Sequence, residues 1–227
     1  GYLLGCKQIA SFRGYDLNFS GLEKPGYYDE VWRNIDAAHF LGNDLWQRAQ
    51  KRGCPEDLSH VFIPPALDTT KFANFTSRPL EPIGSQGRSV RILSIGRLEW
   101  KKGYDFALQA VKLLIDKGYV VEYRIIGDGE YKSALYFTRY QFGLENEVEF
   151  FGALTHDEVL KQLEWADIFL HAAVSEGFCN AVLEAQAAGL PVVCSDADGL
   201  SENVQNNITG FVVSRRDPSA LAEKLAL

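Results

Sequence analysis

The chain has 227 residues, is 46% hydrophobic and 23% charged, and carries a net charge of −7. That length and composition suit one large α/β domain or parts of two, with enough apolar residues for a sizeable core. The acidic balance argues against nucleic acid as a partner, since phosphate backbones are held by Lys/Arg surfaces, but leaves room for a local basic pocket binding a small anion.

Cys6, Cys54, Cys179 and Cys194 are scattered, without a CxxC pair or zinc-like spacing. They read as reduced thiols of a cytosolic protein. No apolar run approaches the ~20 residues of a membrane span, and no signal-peptide pattern is read in these residues. The sequence contains no Met; it opens on "GYLLGCKQIASF" and ends on "LAEKLAL", each inside a structural pattern, as a fragment would.

In chain order, "KQIASF" (7–12) and "AAHFLG" (37–42) are predicted strands, and "DLWQRAQKRG" (44–53) a helix ending on Gly53. "SHVFIPP" (59–65) closes this segment. Residues 1–75 thus read as the C-terminal part of a Rossmann-like unit, and "TSRPLEPIGSQGRS" (76–89), rich in Pro, Gly and Ser, as a linker. From residue 90 to 227 a second, nearly complete unit is expected.

There, β-branched runs alternate with amphipathic stretches. "VRILSIG" (90–96) precedes "DFALQAVKLLIDKG" (105–118), and "VVEYRIIG" (120–127) precedes "EYKSALYFTRYQFG" (130–143). "VEFFG" (148–152) leads to "HDEVLKQLEWA" (156–166), and "DIFLHA" (167–172) to the helix of "NAVLEAQAAG" (180–189). "PVVCS" (191–195) and "GFVV" (210–213) lead to a last helix near Asp217-Pro218. Apolar strands each followed by a helix imply α/β architecture with doubly wound parallel sheets. Phe106, Ala110, Val111 and Leu114 fall at helical spacing and are expected in the core. Such sheets bind ligands at the carboxyl ends of their strands.

Three motifs lie at those ends. "SIGRLEWKKG" (94–103) leaves a strand through Gly96 and presents Arg97, Lys101 and Lys102, which could neutralise a diphosphate or form a solvated basic loop. "IIGDGE" (125–130) has G-x-G without a third Gly, which counts against a dehydrogenase; Gly127 and Gly129 could equally form a plain tight turn. "SEGFCNAVLEAQAAG" (175–189) places Glu176 before a helix start near Asn180 and Glu184 inside it. A helix N-terminus there would attract an anion. Eight residues correspond to ~12 Å as a helical guide, against about 5–9.5 Å for glycosidase pairs. The two glutamates therefore suit two parts of one long ligand, or a surface residue and a helix-capping one. His171, at a strand end, reads as a satisfied structural histidine.

Together, "IGRLEWKKG", "IIGDGE", "FFGALTHDEV", "ADIFLHAAVSEGFCNAVLEAQAAGLPVV" and "GLSENVQNNITGFVV" resemble the retaining GT-B glycosyltransferases of group 1 (family four) in order and spacing. "SFRGYD" (11–16) and "VFIPPALDTTKF" (61–72) extend the similarity into the first segment. The resemblance implies a GT-B fold whose first, acceptor-side unit is incomplete here and whose second binds the donor. It implies retaining transfer of a hexose from a nucleotide-diphosphate sugar to a growing glycan or lipid-linked saccharide, without a metal or other cofactor. Arg97 and Lys102 would hold the diphosphate, Glu176 would face the donor sugar, and Glu184 would bind ribose hydroxyls. Gly177, Phe178, Cys179 and Asn180 would offer backbone donors, Gly96 and Gly127 would border the nucleotide, and Arg13 and Asp16 would lie on the acceptor side.

The resemblance further implies a cytoplasmic protein with peripheral association at the inner face of the membrane. Arg13 stands where the family most often has His, Ala172-Ala173 replaces a common Pro-Ser, and Cys179 sits where Pro or Gly is frequent. With an incomplete acceptor side, the chain is expected to bind a nucleoside diphosphate and to transfer sugar poorly alone. The alternative is a non-catalytic nucleotide-sugar-binding module or an isolated donor-domain fragment.

Overall fold

The computed structural model describes residues 5–73, 75 and 89–226. The expected 76–89 linker, apart from Ser89, lies outside the described residues, as do Gly1 to Leu4.

Two parallel sheets are formed. The first has the order β1 (Ile9–Phe12), β2 (Ala37–Phe40), β3 (His60–Phe62). The second comprises β4 (Val90–Ile95), β5 (Val121–Ile126), β6 (Val148–Gly152), β7 (Ile168–His171), β8 (Val192–Ser195) and β9 (Gly210–Val213), in the order β6-β5-β4-β7-β8-β9. From β4 the chain builds outward to β6, then returns to place β7 on the other side of β4. That reversal opens a crevice at the carboxyl ends of β4 and β7, where ligands of such sheets bind.

Helices cover both faces of the larger sheet. α4 (Tyr104–Asp116), α5 (Lys132–Gln141) and α8 (Pro218–Leu225) supply Leu108, Val111, Leu114, Leu135, Leu221 and Leu225 to one core. α6 (His156–Trp165) and α7 (Asn180–Ala187) supply Val159, Leu163, Val182 and Ala185 to the other. Removing one such side chain, as in Leu108→Ala, costs about 2–5 kcal/mol through lost burial and the cavity left behind. Of the core residues read from helical spacing in α4, Ala110, Val111 and Leu114 are buried. Phe106 is a correction: it packs against the core only partly buried, and Tyr104, Ala107 and Leu108 complete the inward face.

Local chemistry sets the helix ends. Thr155 and Glu158 form a reciprocal capping box at the start of α6, each satisfying the other's backbone N–H. At α8, Asp217 accepts from Ala220 N at 2.9 Å, with Pro218 in the first turn where no N–H is needed.

Around the three-stranded sheet lies a separate aromatic core. Phe12 stacks on Phe40 at 5.4 Å and meets Trp32 at 5.0 Å, while the Trp32 indole donates to Arg52 O at 2.9 Å. Two short helices, α1 (Tyr15–Asn18) and α2 (Asp29–Asn34), fill a stretch where the sequence shows no periodicity, and α3 (Asn43–Lys51) follows β2. No helix among the described residues is long and apolar enough to cross a membrane.

Candidate functional site

Glycines let three strand ends approach closely. Gly127, at φ 137°, lies so near the Gly96 carbonyl that a Cβ there would sit 2.0 Å from its oxygen. Gly127 N in turn donates to Gly152 O at 2.8 Å, and Gly96 N to Ile126 O at 2.9 Å. The loops after β4, β5 and β6 are thereby fastened into one floor.

The loop after β4 carries the cations. Arg97 is exposed and pairs with Glu99 at 2.7 Å; Lys101 binds the same carboxylate at 2.9 Å and lies over the rings of Tyr15 (5.0 Å) and Phe19 (5.3 Å). A short 3-10 turn over Trp100–Lys102 aims Lys102 inward, where its ammonium binds Glu176 Oε2. Burial works against that charge, but Glu176 outweighs it and the Lys102 pKa is raised.

The segment after β7 supplies the opposing groups. His171 Nε2 lies 3.2 Å from the same Glu176 oxygen and 3.5 Å from Cys179 Sγ. Burial opposes ionisation of Glu176, but the His171 hydrogen bond and the Lys102 ammonium prevail and bring its pKa to about 2. Burial likewise disfavours the His171 imidazolium, but the Cys179 sulfur and Glu176 raise its pKa to about 9. A carboxylate so held is a fixed anion and acceptor at neutral pH, unsuited to act as a general acid. Cys179 is the N-cap of α7 and makes no side-chain capping bond, so the helix begins at Asn180 without a side chain over its first N–H groups.

Glu184 belongs to a different neighbourhood. Burial raises its pKa, opposed by the charges of His156 and Lys71. The structure thus brings Lys102, Glu176 and Cys179 together at the switch point beside Gly177 and the start of α7 at Asn180, with the close approach of Gly96 and Gly127 at the neighbouring strand ends. It leaves Arg97 exposed on Glu99, packs Phe178 against the core of the smaller sheet, and gives Glu184 other charge partners.

From the smaller sheet, Gly14 and the Arg13 carbonyl pack directly on Gly177. The Arg13 side chain is exposed. The Asp16 carboxylate turns into its own loop, accepting from Arg13 N (2.8 Å), Gly14 N (3.1 Å) and Leu17 N (2.8 Å). It shapes that turn instead of projecting toward the cleft.

Sequence reasoning missed the residues joining the two sheets. Asp198, with its side chain 4% exposed, accepts from Arg48 (2.6 Å), Arg215 (3.0 Å), Asn18 (3.1 Å), Glu176 N (3.1 Å) and the Ser175 hydroxyl. Glu202 accepts from Asn43 N (2.9 Å) and Asp44 N (2.6 Å), the first turn of α3. The only local signal was Asp198-Gly199, a pair that favours turns; Asp198 adopts φ 47°. Its partners lie up to 180 positions away.

The family described as "Glycosyl transferases group 1" matches residues 80–227. The protein named WcaL for colanic acid biosynthesis in Escherichia coli (strain K12) is 35% identical over 206 residues, covering 88% of this chain and 49% of its own length. The amylovoran biosynthesis glycosyltransferase AmsK of Erwinia amylovora is 33% identical over 232 residues, 97% of this chain and 54% of its own. The chain therefore spans about half the length of these relatives. Among solved structures, Anabaena Alr3699/HepE in complex with UDP and glucose superposes with a TM-score of 0.82 at 19% identity, covering 99% of this chain and 62% of that one. That likeness shows a shared fold.

Proposed function

The chain belongs to the group 1 glycosyl transferases, and on that premise we propose that it carries the donor site of a retaining glycosyltransferase acting on a nucleotide-diphosphate sugar. The observation that carries this reading is the meeting of Lys102 and Glu176 at the carboxyl ends of β4 and β7, beside the uncapped start of α7. A diphosphate fits there: Lys102 offers a point charge, Arg97 an exposed guanidinium, and residues 177–180 backbone N–H groups.

In the reaction, the bond from the anomeric carbon to the diphosphate oxygen breaks and its electron pair stays on the diphosphate. Lys102, Arg97 and the α7 N-terminus stabilise that developing charge, generally the largest catalytic contribution. The acceptor hydroxyl bonds to the same face of the sugar, and its proton passes to the departing phosphate oxygen. No protein nucleophile is needed. Glu176, ionised, accepts a hydrogen bond from a donor-sugar hydroxyl, and Glu184 accepts from the ribose. In this reading no metal ion takes part, and the protein is cytoplasmic, working against the inner face of the membrane.

The names of WcaL and AmsK support a biosynthetic saccharide acceptor, and the UDP in the HepE structure makes uridine the first nucleotide to test. The test is transfer by the full-length protein from UDP-, GDP- and ADP-sugars, with the product's anomeric configuration read by NMR. Product with the donor's configuration supports the proposal; inversion sinks the retaining step. Nucleotide binding without transfer would favour a non-catalytic binding module.

A further inference from the structure

β7 ends in His171, an imidazole only 3% exposed whose ring lies parallel to Phe169 at 6.4 Å. Its Nε2 shares Glu176 Oε2 with the Lys102 ammonium. Glu176 Oε1 has no hydrogen-bond donor among the described residues. One carboxylate oxygen is therefore held from two elements, and the other remains as an unfilled acceptor.

These two holders are not equivalent once a ligand enters. Lys102 sits on a three-residue turn with three rotatable donors, and a diphosphate would draw it away. Lys102 leaving would strand a buried carboxylate, which is costly unless a second donor stays. His171 is anchored in the sheet and stacked on Phe169, so it cannot follow. We infer that His171 is a positioning residue: its Nε2–H keeps Glu176 in place while Lys102 turns to the diphosphate, leaving Oε1 to accept from a hydroxyl of the donor sugar. This inference rests on the nucleotide-sugar reading above.

A metal ion is the competing occupant, because ligand atoms of His171, Glu176 and Cys179 lie within 4.8 Å of one another. Lys102 argues against it. Its ammonium already shares the Glu176 oxygen with His171, and a second cation there would meet like charge at contact distance.

Two substitutions separate positioning from packing. His171→Gln keeps an N–H at about the reach of Nε2; His171→Phe keeps a ring against Phe169 and removes the donor. Calorimetry would use whichever of UDP, GDP or ADP the wild type binds, together with the matching glucose or mannose nucleotide. His171→Phe is expected to weaken nucleoside diphosphate binding, because Lys102 on turning away then leaves Glu176 with no donor, and to weaken nucleotide-sugar binding further, by about another tenfold. His171→Gln is expected to recover most of that loss. No loss in His171→Phe, or equal loss for both ligands in both variants, would overturn the assignment. So would zinc binding by the wild type that His171→Gln abolishes.

If the wild type binds no nucleotide at all, the functional reading fails first. Nitrogen NMR of the ligand-free protein then still decides: a protonated Nε2 supports the donor role, and a bare Nε2 overturns it.

Discussion

Gly14 and Gly177 meet backbone to backbone, each from a different sheet. A Cβ on Gly14 would lie 2.9 Å from Gly177 Cα, and one on Gly177 would lie 2.7 Å from Gly14 Cα. Neither glycine leaves room for a side chain between the two halves. Around this contact Asp198 and Glu202 bind the helices of the smaller sheet, so the segment after β7 and the loop after β1 are held together.

Gly14→Ala should force that contact open, both through the clash and through its φ of 128°. Nucleotide affinity should fall less than transfer, because of the proposed diphosphate contacts only Gly177 touches Gly14, while Lys102 and the rest of the α7 start do not. Transfer by the full-length protein should fall by about a hundredfold, as small misplacements of reacting groups do. Parallel losses in binding and transfer would show that the Gly14 contact serves the nucleotide site itself.

Asp198→Asn removes the charge that Arg48 and Arg215 share. Asn tolerates the left-handed backbone there, so the effect comes from the lost charge together with one oxygen acceptor replaced by a donor. The expected loss is about 2 kcal/mol in denaturant unfolding, reduced from a fully buried pair because both arginines are partly exposed. The Asn43 and Asp44 amides, held by Glu202, should also exchange faster with solvent. Unchanged stability and exchange would mean the Asp198 network does not join the halves.

Lys102→Ala should weaken nucleoside diphosphate binding by about tenfold or more while leaving the nucleoside nearly unaffected. Calorimetry with both ligands checks this. An equal loss for both would place Lys102 outside the diphosphate contact.

The Glu176–His171 pair gives stability a pH signature. His171 is raised from 6.5 to about 9, so its contribution is complete below pH 6.5 and is lost as pH climbs through 9. Glu176 is lowered from 4.5 to about 2, so its contribution is present above pH 4.5 and is lost as pH falls through 2. The unfolding midpoint should therefore be highest between pH 4.5 and 6.5. His171→Gln should flatten the alkaline side of that profile; an unchanged alkaline slope would assign it to other groups.

What could be read from the sequence follows the range of each interaction. β4 to β9 and α4 to α8 were legible because buried parallel strands and amphipathic helices write their periods locally. Glu176 and Glu184 were separable because a helix start falls between them. The stretch between Arg13 and Asp36 was not legible: α1 and α2 are four and six residues long, and Tyr28 and Trp32 are ordered by packing on Phe12 from another element. His171 read as structural because an isolated histidine at a strand end says nothing of its neighbours. Glu176 is five residues away and Lys102 sixty-nine, and only the fold brings all three to one oxygen.

The most direct measurement is the structure of this protein with bound UDP, or with GDP or ADP if one of those binds more tightly. The diphosphate should lie at Lys102 and the start of α7 and the ribose hydroxyls at the Glu184 carboxylate, with Glu176 still held by His171. A nucleotide lodged away from the ends of β4 and β7, or one whose ribose contacts Glu176 instead of Glu184, would contradict this arrangement.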